Sequence, residues 1–167
     1  DTTLESLETN LTFMRDYGGH PFNFGRVELY AGTPLLARMQ REGRCTGDYL
    51  GWDYTLASPP MQRVFELAVR AFYARNFAAG ALANRLMGTR FDVEMCRHFH
   101  PGAYRPGWLA CAKVLNRELA MDSVRALERI IAHARRAAPP SADAPLLAEL
   151  GVALRATEAR LADAATR

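Results

Sequence analysis

No stretch approaches the roughly 20 uncharged apolar residues that a membrane span requires, so no membrane partner is expected. Three cysteines, Cys45, Cys96 and Cys111, are too few and too irregularly spaced for a disulfide framework, and reduced thiols in a cytoplasmic protein are the simplest expectation. There is no C-x2-C or C-x3-C-x2-C run, so the chain brings no iron–sulfur or structural zinc motif of its own. A Ser-His-Asp order, a phosphate loop and an HExxH helix are also missing. The formal net charge is +3, but the arginines alternate with acids, as in Arg117-Glu118 and Glu128-Arg129. Without a one-sided basic stripe, no nucleic-acid partner is expected. The opening residues Asp1-Thr2-Thr3-Leu4-Glu5 are polar and acidic rather than a signal peptide. Without an initiator Met, the chain is expected to be a processed product or an excised piece.

What remains is 167 residues, 49% hydrophobic and 23% charged, enough for one modest domain with a core. Residues 2–17 read as an amphipathic helix, with Thr2 and Glu5 as a capping box and Leu4, Leu7, Leu11 and Met14 on one face. Pro21 to Tyr30 reads as a strand. Val27 and Leu29 point to one side, and Phe24, Arg26, Glu28 and Tyr30 to the other. Thr33 and Pro34 then open a short helix that ends at Gly43. Helix–strand–helix is the repeat of a parallel sheet or barrel, and a lone strand needs partners elsewhere.

Residues 44–58 read as a loop carrying Tyr49, Trp52 and Tyr54, too long and aromatic for a plain connector. Helices are expected at 59–76, 78–87 and 89–99, with Ser58 and Thr89 as caps and Gly88 as a break. A helix of about 48 Å follows at 106–137. The stiff corner Ala138-Pro139-Pro140-Ser141 leads into a last helix at 145–164, so an antiparallel hairpin is expected. The fold class expected is mainly α: a β/α barrel-edge remnant, then a helical domain ending in a long helical hairpin.

The segment Pro21-Phe22-Asn23-Phe24-Gly25-Arg26-Val27-Glu28-Leu29-Tyr30-Ala31-Gly32-Thr33-Pro34-Leu35 carries a resemblance. A strand ending in Tyr-x-Gly-Thr-Pro-Leu, then a helix closing on Glu-Gly, resembles the last stretch of radical SAM barrels, with Ala31 where Pro is usual. Asp1 to Glu5, Gly47-Asp48-Tyr49, Trp52-Asp53-Tyr54 and Arg75-Asn76-Phe77 are similar to the cobalamin-binding subgroup. The resemblance covers residues 1–104, and the remaining 63 match nothing nameable. With the reading of the residues beyond it, the chain is expected to divide into the last barrel units at 1–43, an aromatic loop at 44–58, a helical carboxy-terminal domain at 59–137, and a Pro corner with terminal helix at 138–167. The resemblance further implies a [4Fe–4S] cluster, S-adenosylmethionine and cobalamin, all bound by parts of the enzyme outside this chain. The partners would be the rest of the barrel, the cobalamin domain and a small-molecule substrate, and the reaction is expected to be methyl transfer to carbon. On that reading the chain closes the barrel and contacts substrate, and is not competent for catalysis alone.

Arg26, Glu28 and Tyr30 suit the barrel interior near its site, where they line a cofactor or substrate cavity or simply form a structural Arg–Glu pair. Tyr49, Trp52 and Tyr54 either cover the barrel mouth on the substrate side or pin the loop by burial. Asp92, Cys96 and His100 share a helix face at i, i+4 and i+8 and could share a metal, although a helix-end structural role is the plainer expectation. Phe91, Met95 and Phe99 are expected to form the buried stripe of that helix. The alternative to the enzyme reading is a free-standing helical interaction module, with a homodimer through the 106–164 hairpin.

Overall fold

A computed structural model describes residues 2–137 and 139–166. Asp1 in the resemblance, Ala138 at the head of the Pro corner, and Arg167 lie outside the described residues. The described chain is mainly helical: α1 (Leu4–Tyr17), α2 (Pro34–Arg41), α3 (Pro59–Phe72), α4 (Leu82–Phe99), α5 (Trp108–Arg135) and α6 (Asp143–Thr166). Two short strands, β1 (Cys45–Asp48) and β2 (Gly51–Tyr54), form an antiparallel hairpin.

Local chemistry sets the starts of α1, α2 and α3. Thr33 accepts from the Leu36 N–H with Pro34 in the first turn, and Ser58 likewise accepts from Met61 before Pro59. In α1 the capping box is one residue later than expected: Thr3 pairs with Ser6, not Thr2 with Glu5. Helix α3 stops at Phe72, and one π-helical turn, Tyr73–Phe77, replaces its expected last turn. The widened turn leaves Arg75 and Asn76 buried. The break expected at Gly88 is absent, and α4 runs through it. A single glycine costs a helix about 1 kcal/mol but does not end it. The Thr89 hydroxyl donates to the Arg85 carbonyl within the helix rather than capping a new one.

The strand expected at 21–30 is not formed, and the two strands lie inside the expected 44–58 loop. A strand needs a neighbour for its backbone groups. Among the described residues, Pro21 to Tyr30 has none; side chains pin it instead. Asn76 donates to the Phe22 carbonyl at 2.9 Å, and the Tyr54 hydroxyl donates to the Val27 carbonyl at 2.7 Å. The hairpin closes through Tyr49-Leu50, with Leu50 N–H donating to the Asp48 carboxylate at 2.9 Å. Gly47 is required there. Its φ is +87°, and a Cβ would lie 2.1 Å from the Gly51 carbonyl oxygen.

The hub is α5, which packs on α1, α3, α4 and α6. Its carboxy-terminal half enters a large apolar cluster with Leu7, Leu11, Val64, Leu67, Phe72 and Leu150. Its amino-terminal half joins Ala83, Leu86 and Leu161 in a smaller one. Ion pairs Glu118–Arg160 and Arg129–Glu149 run in opposite senses along α5 and α6, so the two are antiparallel. Where the clusters meet, Arg75 is 1% exposed. Its Nε donates to Glu158 at 2.9 Å, and its other nitrogens donate to Asp122 at 2.7 Å, Ser123 at 3.0 Å and the Leu154 carbonyl at 3.0 Å. One cation thereby ties α3's end to both α5 and α6.

Two further findings concern burial. The stripe of Phe91, Met95 and Phe99 is not buried: the two phenylalanines are 66% and 60% exposed. The spacing makes an apolar stripe, but α4 packs on α5 through its other face, by Ala83 and Leu86. Asn116, fully buried on α5, has no hydrogen-bond partner for either amide atom among the described residues. Leucine, which has the same branched shape without the polar atoms, should therefore raise stability by about 1–3 kcal/mol. A lower denaturation midpoint for Asn116→Leu would mean that the amide is satisfied in solution.

Candidate functional site

The extended segment crosses in front of α1 and α3, and the hairpin folds back over it. Between them lies a cavity of about 400 Å³. Its walls are apolar: Leu7, Met14, Phe24, Leu35, Met61 and Phe65 among others. The polar side chains that reach it include Arg26, Arg44 and Tyr54.

Arg26 is placed by aromatic rings. Its guanidinium lies 4.4 Å from the Tyr54 ring centre and 4.8 Å from that of Phe65, and it donates to the Tyr54 carbonyl and the Asp53 carboxylate. Alternation along β2 turns Trp52 and Tyr54 toward the protein and Asp53 outward. Tyr54 is buried, which pushes its phenol above the ordinary value against the opposing charges of Arg26 and Arg44. Arg44 donates to Glu42 at 2.8 Å and to the Thr55 carbonyl at 3.0 Å. Glu42 is held below the ordinary carboxylate value by hydrogen bonds from Arg38 and then Arg44.

The other residues singled out from the sequence lie elsewhere. Glu28 and Tyr30 face solvent, where the Tyr30 hydroxyl donates to Glu28 at 2.5 Å; that bond raises the phenol's pKa. Arg26, Glu28 and Tyr30 therefore do not share a cavity, because without sheet pairing the segment keeps no strict alternation. Tyr49 sits 78% exposed at the hairpin tip, edge-on to Trp52 at 6.1 Å. Of the three loop aromatics, Tyr54 alone lines the cavity. Asp92 and Cys96 lie on α4 and His100 caps its end, where the Cys96 thiol faces the His100 carbonyl at 4.0 Å. No three metal-binding side chains converge among the described residues.

A second polar cluster was not legible in the sequence. Arg63 on α3 donates to Asp143 at 2.5 Å and to the Pro139 carbonyl at 3.2 Å, and His133 Nε2 lies 2.7 Å from the same carboxylate. These partners stand far apart along the chain, so no local pattern announces them. Burial raises the Asp143 pKa, but hydrogen bonds from Arg63 and His133 and their charges outweigh it, and the net shift is downward. A depressed folded-state pKa contributes stability that is present above the unfolded value and lost as pH falls through the folded one. The protein should therefore lose this contribution below about pH 4, and Asp143→Asn should lack that component. Parallel stability–pH profiles for the two proteins from pH 6 to 2 would refute the pairing.

Compared with known proteins, the chain matches no family model, no curated protein and no solved structure.

Proposed function

We propose that the chain is the carboxy-terminal region of a cobalamin-dependent radical SAM enzyme, one that transfers methyl groups to carbon. In this reading Pro21 to Tyr30 is the last strand of a barrel whose other strands belong to the rest of the enzyme. The observation that carries it is the state of that segment. It is extended, has no backbone ladder among the described residues, and runs directly into a Thr33-capped, Pro34-started helix. Such an unpaired edge is a template for another strand, and it coincides with the residues that resemble the end of a radical SAM barrel. Residues 1–43 are then the last barrel units, and the long antiparallel pair of α5 and α6 closes a helical carboxy-terminal domain.

The cofactors belong to other parts of such an enzyme. Cys45, Cys96 and Cys111 are free and sit on three different elements, so they do not fit a cluster, and no step is assigned to this chain. Its part is closure of the barrel and contact with substrate. The test is the intact mass and amino-terminal sequence of the native polypeptide in its source cells, with iron content after anaerobic purification. A larger polypeptide with Cys-x3-Cys-x2-Cys ahead of Asp1 and about four irons per chain is expected. A native protein beginning at Asp1 and free of iron overturns the reading.

The uncovered stripe Met87, Phe91, Met95 and Phe99 favours a second reading, a helical interaction module. That reading requires concentration-dependent association in sedimentation, weakened by Phe91→Ser.

A further inference from the structure

Protein interiors keep few voids larger than a water molecule. The cavity between the extended segment, the hairpin and α3 measures about 400 Å³, within the range of small-molecule sites. It reaches Leu7 and Leu127 of the main apolar cluster. Three of its lining side chains are methionines, Met14, Met39 and Met61, and three are aromatic, Phe24, Tyr54 and Phe65. Met14, Phe24 and Phe65 are only half-buried, so apolar surface remains there for a ligand to cover. The two charged side chains that line the cavity are already paired, Arg26 with Asp53 and Arg44 with Glu42. The Tyr54 hydroxyl is engaged with the Val27 carbonyl at 2.7 Å. A neutral ligand leaves all these bonds in place. The wall also distinguishes one kind of neutral ligand from another. A thioether sulfur is polarisable and favours an aromatic ring, and phenyl rings accept another ring offset or edge-on.

We propose that this cavity binds a small neutral aromatic molecule, held by the methionines and aromatic rings of its wall. The inference does not rest on the enzyme reading, because every wall named belongs to this chain.

The test is calorimetric titration of the protein with naphthol, with its saturated counterpart decalol, and with naphthoate. Saturable naphthol binding with a Kd on the order of 10 μM is expected. Decalol, of the same skeleton without the rings' π-faces, should bind about fivefold more weakly. Naphthoate should bind about tenfold more weakly, because its charge enters an apolar site whose cations are already paired. Leu35 also lines the cavity and is half-buried. Leu35→Trp, which fills the space, should abolish naphthol binding while helical circular dichroism is retained. Met14→Leu keeps the apolar bulk but removes a sulfur, and should narrow the preference for naphthol over decalol. If Leu35→Trp does not fold, the three-ligand comparison on the parent protein decides. No saturable heat with naphthol, decalol binding as tightly, naphthoate binding more tightly, or undiminished binding to folded Leu35→Trp each overturns the proposal.

Discussion

Replacing Arg75 by methionine is expected to destabilise the protein by about 3–5 kcal/mol. Arg75 is almost wholly buried and satisfies two carboxylates, a hydroxyl and a backbone carbonyl on two other helices. Its removal leaves those acceptors facing a thioether. Asp122 keeps a partner in Arg125 at 3.3 Å, whereas Glu158 loses its own, and both side chains are partly exposed. Their access to water places the effect toward the lower end of the range. Lysine should rescue little, because a single ammonium cannot fork toward α5 and α6 at once. Replacing Asp122 and Glu158 as well, with apolar residues, should recover much of the loss, since the penalty lies in stranded charge rather than in missing attraction. The measurement is the chemical denaturation midpoint and slope of each variant. A loss under 1 kcal/mol for Arg75→Met would show that the network does not hold the helices together.

The second large effect separates two phenylalanines that look alike in the sequence. Phe72→Ala should cost about 3–5 kcal/mol, as a fully buried aromatic leaves a cavity that the surroundings only partly close. Phe72 is 2% exposed, at the end of α3 within the larger apolar cluster. Phe91→Ala, the same change on the open face of α4, should stay within about ±0.5 kcal/mol. Equal losses for the two would mean that Phe91 is covered in solution, and they would lend weight to the interaction-module reading.

The contrast also shows what could be read in advance. Thr33-Pro34 and Ser58-Pro59 mark helix starts because a cap acts within a single turn. The leucines of the last two helices, such as Leu119, Leu127, Leu150 and Leu154, repeat at helical spacing, and they are buried. Gly88 misled because a glycine weakens a helix without the means to stop it. The β-hairpin at Cys45–Tyr54 was hidden by its own glycines and aspartates, which read as loop. The cavity was half legible: Arg26 and Tyr54 stood out as candidates, while Arg44 carried no signal.

The sequence by itself determined that the protein is mainly helical and approximately where α1, α2, α3, α5 and α6 begin, because capping and periodicity act between residues a turn apart. Only the tertiary structure decided three other matters. It decided which apolar stripe is covered, that Pro21 to Tyr30 finds no strand partner among the described residues, and which acids Arg75 and Arg63 meet. Each depends on groups from 47 to 83 residues away in the case of Arg75, brought close by the packing of whole helices and invisible to any local pattern.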